Sequence, residues 1–155
     1  MAIQKLKISD AAKAKKKNDK ITTPAATQTA GAVHKLAIIR IRGTDDVNSR
    51  IESTMRMLKL HKKHTCSVFD ENESMLGMAE RCKDYVTYGE IDDETYRLLV
   101  EKRGKKDAEG KLQNWFHLSP PRGGFERRGI KYAFTQKGAL GYRAEKINIL
   151  LKKMI

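Results

Sequence analysis

The sequence predicts an α/β protein. A β-α-β-α-β open-faced sandwich occupies residues 34–91, with a basic flexible leader before it (1–33) and a basic extension after it (92–155). Three observations carry this. Residues 35–42 (KLAIIRIR) are the strongest strand signal in the chain. Strand-like runs at 65–69 and 85–91 follow, separated by helical apolar stripes, as in helices packed on a sheet. The third is charge: of a formal +13, residues 1–34 carry +5, 35–90 only +1 and 91–155 +7, so a near-neutral module bears two cationic ends.

In residues 35–42, Ala37, Ile39 and Ile41 fall on one face, and Leu36, Ile38, Arg40 and Arg42 on the other. The first face is wholly apolar and needs a cover. The second starts apolar and ends cationic, which predicts a face half buried and half open to an anionic partner. So apolar a strand belongs at the centre of its sheet. Gly43 ends it, and Thr44, Asp45 and Asp46 offer capping oxygens to a helix over 46–60. There Val47, Ile51, Met55 and Leu58 make one stripe, with Arg50 on an outer side. Lys59, His61, Lys62 and Lys63 crowd its C-terminal end, where both the helix dipole and a phosphate backbone favour cations.

Residues 65–69 (TCSVF) read as a second strand with Cys66 and Val68 on one face. Asp70, Glu71 and Asn72 turn the chain into a helix over 73–83, striped by Met75, Ala79 and Cys82. Residues 85–91 (YVTYGEI) are the third strand, with Val86 and Tyr88 sharing a face. Asp92, Asp93 and Glu94 open a third helix that runs to Arg103 and stops at Gly104, its inner face made by Tyr96, Leu99 and Val100. A charged linker (105–111) leads to 112–118, which has the cast of an edge strand and contains the single tryptophan, Trp115. An amphipathic helix over 143–154, with Ala144, Ile147, Leu151 and Met154 at helical spacing, closes the chain and pins the preceding loop to the body.

The two cationic ends differ in kind. The leader has few hydrophobes and cannot offset its own ordering entropy, but Lys13, Lys15, Lys16 and Lys17 would share a helical turn formed against phosphate. Residues 119–143 hold two of the three prolines and five of the eleven glycines, with Arg122, Arg127, Arg128, Lys131, Lys137 and Arg143 among them. Gly123 and Gly124 let backbone approach another surface closely. Phe125, Tyr132, Phe134 and Tyr142 are interleaved with these cations, as stacking on bases or ribose requires. Some of the four must instead pack on the chain's own core.

So large a positive balance points to a polyanion, either nucleic acid or an acidic membrane. No run of about twenty apolar residues is present to span a bilayer. The first thirty residues lack the apolar stretch of a secretory signal, which predicts a cytoplasmic protein. Cys66 and Cys82 read as reduced core thiols. His61 and His64 with those cysteines lack the compact ligand pairs of structural zinc, and Gly123-Gly124 lacks the Gly-Lys-Ser/Thr sequel of a phosphate-binding loop. No nucleophile stands beside a base. The expectation is therefore no enzyme, no cofactor and no metal. A rival reading is a small regulatory module that binds an amino acid or similar ligand across its sheet, but that has no use for a +7 C-terminal region.

Five stretches resemble a known family: LAIIRIRG at 36–43, I-x-x-T-M-x-x-L-x-L-H-K-K-H at 51–64, G-M-A-E-R-C-K-D-Y-V-T-Y-G at 77–89, L-S-P-P-R-G-G-F-E at 118–126 and K-G-A-L-G at 137–141. They resemble the universal large-subunit ribosomal protein numbered thirty, in its archaeal and eukaryotic long form. The likeness covers about two-thirds of the chain, and Pro-Pro-Arg-Gly-Gly is its most specific piece. It implies a ferredoxin-like, three-stranded sheet of order 3-1-2 with 35–42 in the middle. It also implies a non-catalytic role in binding and shaping large-subunit rRNA, among other ribosomal proteins and with the 5S rRNA particle as a candidate neighbourhood. Membrane and small-molecule substrate have no place in that role. The expected RNA contacts are the leader lysines, Arg40, Arg42 and Arg50, the corner His61, Lys62, Lys63 and His64, and, in the extension, Arg122, Gly123, Gly124, Arg127, Arg128, Lys131, Lys137, Tyr142 and Arg143. The leader and the short insert before Leu112 depart from the family's shared core, so the likeness carries no contact across them.

Overall fold

The computed structural model describes residues 35–43, Asp45 and residues 47–155; the leader, with Lys13, Lys15, Lys16 and Lys17, lies outside the described residues. In chain order the elements are β1 (Lys35–Arg40), α1 (Ser49–Met57), β2 (Thr65–Asp70), α2 (Glu73–Arg81), β3 (Val86–Ile91), α3 (Asp93–Arg103), β4 (Trp115–His117), β5 (Gly141–Tyr142) and α4 (Ile147–Met154). The sheet order is β4-β2-β1-β3-β5. The strand at 35–42 is central as expected, with β2 and β3 antiparallel to it on either side. The sheet has five strands, however, where three were expected: β4 extends it antiparallel to β2, and β5 runs parallel to β3. A two-residue strand such as Gly141-Tyr142 has no periodicity to read.

Both faces of β1 are buried. Leu36 and Ile38 pack with Met55, Leu58, Ala79, Cys82 and Val86 under α1 and α2. Ala37 and Ile39 pack with Leu99, Phe116, Ile147, Leu151 and Met154 under α3 and α4. The sandwich is therefore not open-faced. The wholly apolar face finds its cover in the C-terminal helix, and each buried aliphatic side chain there contributes about 1.5–3 kcal/mol. Ile41 passes into a third cluster with Ala139 and Leu140. The β1 ladder stops at Arg40 because the next two amides, Ile41 N and Arg42 N, converge on one carbonyl, Tyr85 O, at 3.0 and 3.1 Å.

A side-chain oxygen marks the start of α1, though not one of those expected. Asn48 caps it, its Oδ1 accepting from Arg50 N at 3.0 Å, so α1 begins at Ser49 rather than at residue 46. At α3, Asp92 and Gly104 bound the helix as the sequence predicts.

The extension is irregular but heavily bonded to itself. Two 3₁₀ turns, Gly129–Lys131 and Phe134–Gln136, are tied by Ala139 N to Gly129 O (3.1 Å), Leu140 N to Tyr132 O (3.1 Å) and Phe134 N to Leu140 O (2.7 Å). Gly138 is required by this crossing, since a Cβ there would lie 2.1 Å from Tyr132 O. The end of α4 holds the start of the extension: Ser119 N donates to Met154 O (3.1 Å) and Arg122 N to Lys153 O (3.0 Å).

Candidate nucleic-acid interface

The cations that the sequence nominates divide into those that hold the body together and those that face outward. Arg40 belongs to the first group. It is 2% exposed. Its Nη1 donates to Leu60 O (2.7 Å) and His61 O (3.2 Å), Nη2 to Gly43 O (2.8 Å) and Nε to Arg42 O (3.0 Å). The β1 face expected to be half open is closed at this residue, because four backbone carbonyls of the loops beside it take up four of the five guanidinium N–H groups. Arg40 is not a surface for phosphate.

Arg143 is corrected for the same reason. It is 4% exposed and forms a two-pronged ion pair with Glu126, with Nη2 to Oε2 at 2.8 Å. It also donates to Thr87 Oγ1 (2.8 Å) and Ala139 O (3.0 Å), and its guanidinium lies 4.7 Å over the Phe134 ring. Burial opposes ionisation of Glu126, but the hydrogen bonds from Arg143 and its own backbone, with the charges of Arg143 and Lys153, outweigh it. They hold the carboxyl below the usual glutamate range.

His64 is half-buried, with its ring stacked on Phe125 at 6.1 Å and 15°. Its Nδ1 is buried with no hydrogen-bond partner among the described residues. Burial first, then the charges of Lys63 and His117, push its pKa down, which disfavours its cationic form. Tyr142 is half exposed, but its hydroxyl donates to Glu90 Oε1 at 2.6 Å. That bond, burial and the nearby negative charge push its pKa up to about 12. Its ring leans on Tyr88 (5.5 Å, 43°).

The outward group is Arg50, His61, Lys62, Lys63, Arg122, Gly123, Gly124, Arg127, Arg128, Lys131 and Lys137, all exposed. Arg42 is half-buried, its guanidinium 5.0 Å over the Tyr85 ring. Arg50 sits in the first turn of α1, at the opposite end of that helix from the His61–Lys63 corner. In the extension, Gly123 and Gly124 adopt φ of +82° and +77°, which L side chains rarely take. Arg127, Arg128 and Lys137 line an open concavity of about 600 Å³ with Thr135 and Gln136. Arg128 N donates to Lys137 O (3.2 Å), and its guanidinium lies 5.0 Å over Tyr132, itself 47% exposed. Thr135 and Gln136 carry no signal in the sequence beyond their place just before Lys137. Of the four interleaved aromatics, Phe125 packs against the core, Phe134 is half-buried beside the Arg143 guanidinium and Tyr132 presents its ring to solvent.

Cys66 and Cys82 lie in the two separate cores on opposite faces of the sheet, so they share no site. Burial pushes the Cys66 thiol up to about 12. Among the described residues no helix is long and apolar enough to cross a membrane.

Comparison with known proteins bears on the same residues. The profile of the family described as ribosomal protein L30p/L7e matches residues 36–86, from β1 to the start of β3. Large ribosomal subunit protein uL30 of Methanococcus vannielii is 40% identical, over 77% of this chain and 98% of the relative. Its counterpart in Methanopyrus kandleri is 39% identical over 74% of this chain and 100% of the relative, and that of Archaeoglobus fulgidus 38% identical over 76% and 98%. Identity of this level along nearly the whole of each relative carries the likeness well past the segment the profile matches. The chain belongs to the ribosomal protein L30p/L7e family.

Proposed function

We propose that this chain is a structural constituent of the large ribosomal subunit that binds and stabilises its rRNA, working on the ribosome in the cytoplasm. One observation carries the reading: five cations, Arg122, Arg127, Arg128, Lys131 and Lys137, stand exposed on an irregular segment that the pair of buried Arg143 with Glu126 and the end of α4 hold in place. A rigid cationic surface loses little conformational entropy when it meets a phosphate backbone. The left-handed glycines Gly123 and Gly124 admit close approach, and the Tyr132 ring is placed to stack. The His61–Lys63 corner and the leader lysines Lys13, Lys15, Lys16 and Lys17 add phosphate contacts, with the 5S rRNA particle among the candidate neighbours. Arg40 and Arg143 act from beneath, as supports. The role is one of shape and charge, without chemical turnover. A regulatory ligand laid across the sheet is disfavoured, because helices cover both faces.

The test is the triple variant Arg122→Ala, Arg127→Ala, Arg128→Ala. It is expected to lose rRNA affinity and to reduce the log–log salt slope by about 2–3, while the melting temperature stays put. A lower melting temperature with unchanged affinity would mean that these three arginines hold the fold.

A further inference from the structure

One cleft away from the extension has a different chemistry. α1 and α2 cover β1, β2 and β3, and β4 lies beyond them at the sheet edge. The register pairs Ser67 with Trp115 and Thr65 with His117. Ser67 and Thr65 are buried, and Ser67 donates to Leu58 O at 2.7 Å under the end of α1. Trp115 and His117 therefore project from the same face one strand further out, where the helical cover has ended, and Phe116 between them turns into the opposite core. Trp115 is half-buried and His117 exposed. A cleft of about 310 Å³ opens there, walled by Lys59, His61 and Lys62 from the α1–β2 loop and by Lys105.

The walls are held firmly. Arg40 grips the carbonyls of Leu60 and His61 from inside the body. Lys59 and His64 turn the loop with φ of 58° and 61°, a conformation unusual for non-glycine residues and common at functional sites. Lys105 is fixed by Gln113 N donating to its carbonyl at 3.0 Å. No acidic side chain lines the cleft.

We propose that this cleft is a second RNA site, which takes a single unpaired base: the base stacks on the Trp115 indole, and its flanking phosphates meet Lys59, Lys62 and Lys105. This rests on the rRNA-binding reading above and adds what that reading lacks, the kind of RNA element recognised. An aromatic shelf in a walled cleft suits a base already out of its stack, because an A-form helix keeps its bases stacked and presents backbone and 2′-hydroxyls instead. Cationic walls disfavour a basic peptide as occupant.

Trp115 is the only tryptophan, so the emission of the full chain reports this site alone. Titration with a short oligoadenylate is expected to quench it to saturation, and an RNA duplex of equal phosphate content to quench it little. The double variant Lys62→Gln, Lys105→Gln, both positions exposed, is expected to weaken the oligoadenylate roughly ten-fold, and Trp115→Leu comparably by filter binding. Should a large-subunit rRNA domain bind the chain while oligoadenylate leaves the emission unchanged, the site is refuted and the ribosomal role stands. If neither RNA binds, both fall. A photoreactive residue at 115 in assembled particles should crosslink to RNA; a crosslink to protein instead would overturn the assignment.

Discussion

Arg40 carries its charge into the body. Burial lowers its pKa, the charges of Glu52 and Cys82 oppose that, and a guanidinium so far above neutrality stays protonated. Replacement by methionine keeps the stem's volume and strips donors from the carbonyls of Leu60, His61, Gly43 and Arg42. Arg40→Met should therefore cost about 3 kcal/mol or more, read as a lower urea midpoint. A surface arginine contacting only RNA would leave that midpoint alone. Glu126 makes the matching case for acid. Its folded pKa lies below the unfolded value of about 4.3, so its stabilisation is present above that pH and is lost as pH falls through the folded pKa. Glu126→Gln should lower the melting temperature at neutral pH and flatten its decline in acid. If the variant and the parent decline in parallel below pH 4.3, the Arg143 pair does not hold the extension.

At the scale of elements, α4 has two tasks. Its inner side chains Ile147, Leu150, Leu151 and Met154 close the second face of the sheet, and the carbonyls of its last turn hold Ser119 and Arg122. Leu151 is fully buried, so Leu151→Ala should cost about 2–5 kcal/mol. Amide exchange at Ser119 and Arg122 should accelerate with it. Ile149, 60% exposed on the same helix, serves as control: Ile149→Ala should change stability by no more than about 0.5 kcal/mol. The helix is legible from the spacing of Ile147, Leu151 and Met154, because a 3.6-residue period marks a helical face. What the face covers is not, since periodicity carries no information about the partner surface. A similar limit applies to β5, whose two residues are tied to β3 by distant bonds such as Arg143 N to Tyr88 O at 2.9 Å and Thr87 Oγ1 to Gly141 O at 2.8 Å.

For the whole molecule, the separation of charge is the organising fact. The near-neutral stretch 35–90 builds most of the sheet and two of its helices, and the +7 that follows is carried largely on exposed side chains. Association with large-subunit rRNA should accordingly weaken in proportion to salt on a log–log plot, with a slope of about −0.7 to −0.9 for each phosphate neutralised. Filter binding across a salt series measures it, and a flat line would remove electrostatics as the basis of the role. The family likeness and the charge asymmetry are both legible in the order of amino acids, the first through short motifs such as Pro-Pro-Arg-Gly-Gly and the second by counting. Which of the cations face outward is not, because charge in a sequence does not say how many carbonyls will gather around it.

By itself the sequence determined the order of strands and helices as far as α3, the central place of 35–42, the bounds of α3 and the polyanionic character of the partner. Each of these depends on neighbours within a few residues or on totals. The tertiary structure alone decided that the sheet has five strands, that its second face is covered, and that Arg40, Arg143 and His64 turn inward while Arg127, Arg128 and Lys137 share a concavity. Those outcomes rest on contacts between distant segments, such as Glu126 with Arg143 and Leu60 with Arg40. A buried charge is stable only where the fold delivers its partners, and no local pattern encodes that delivery.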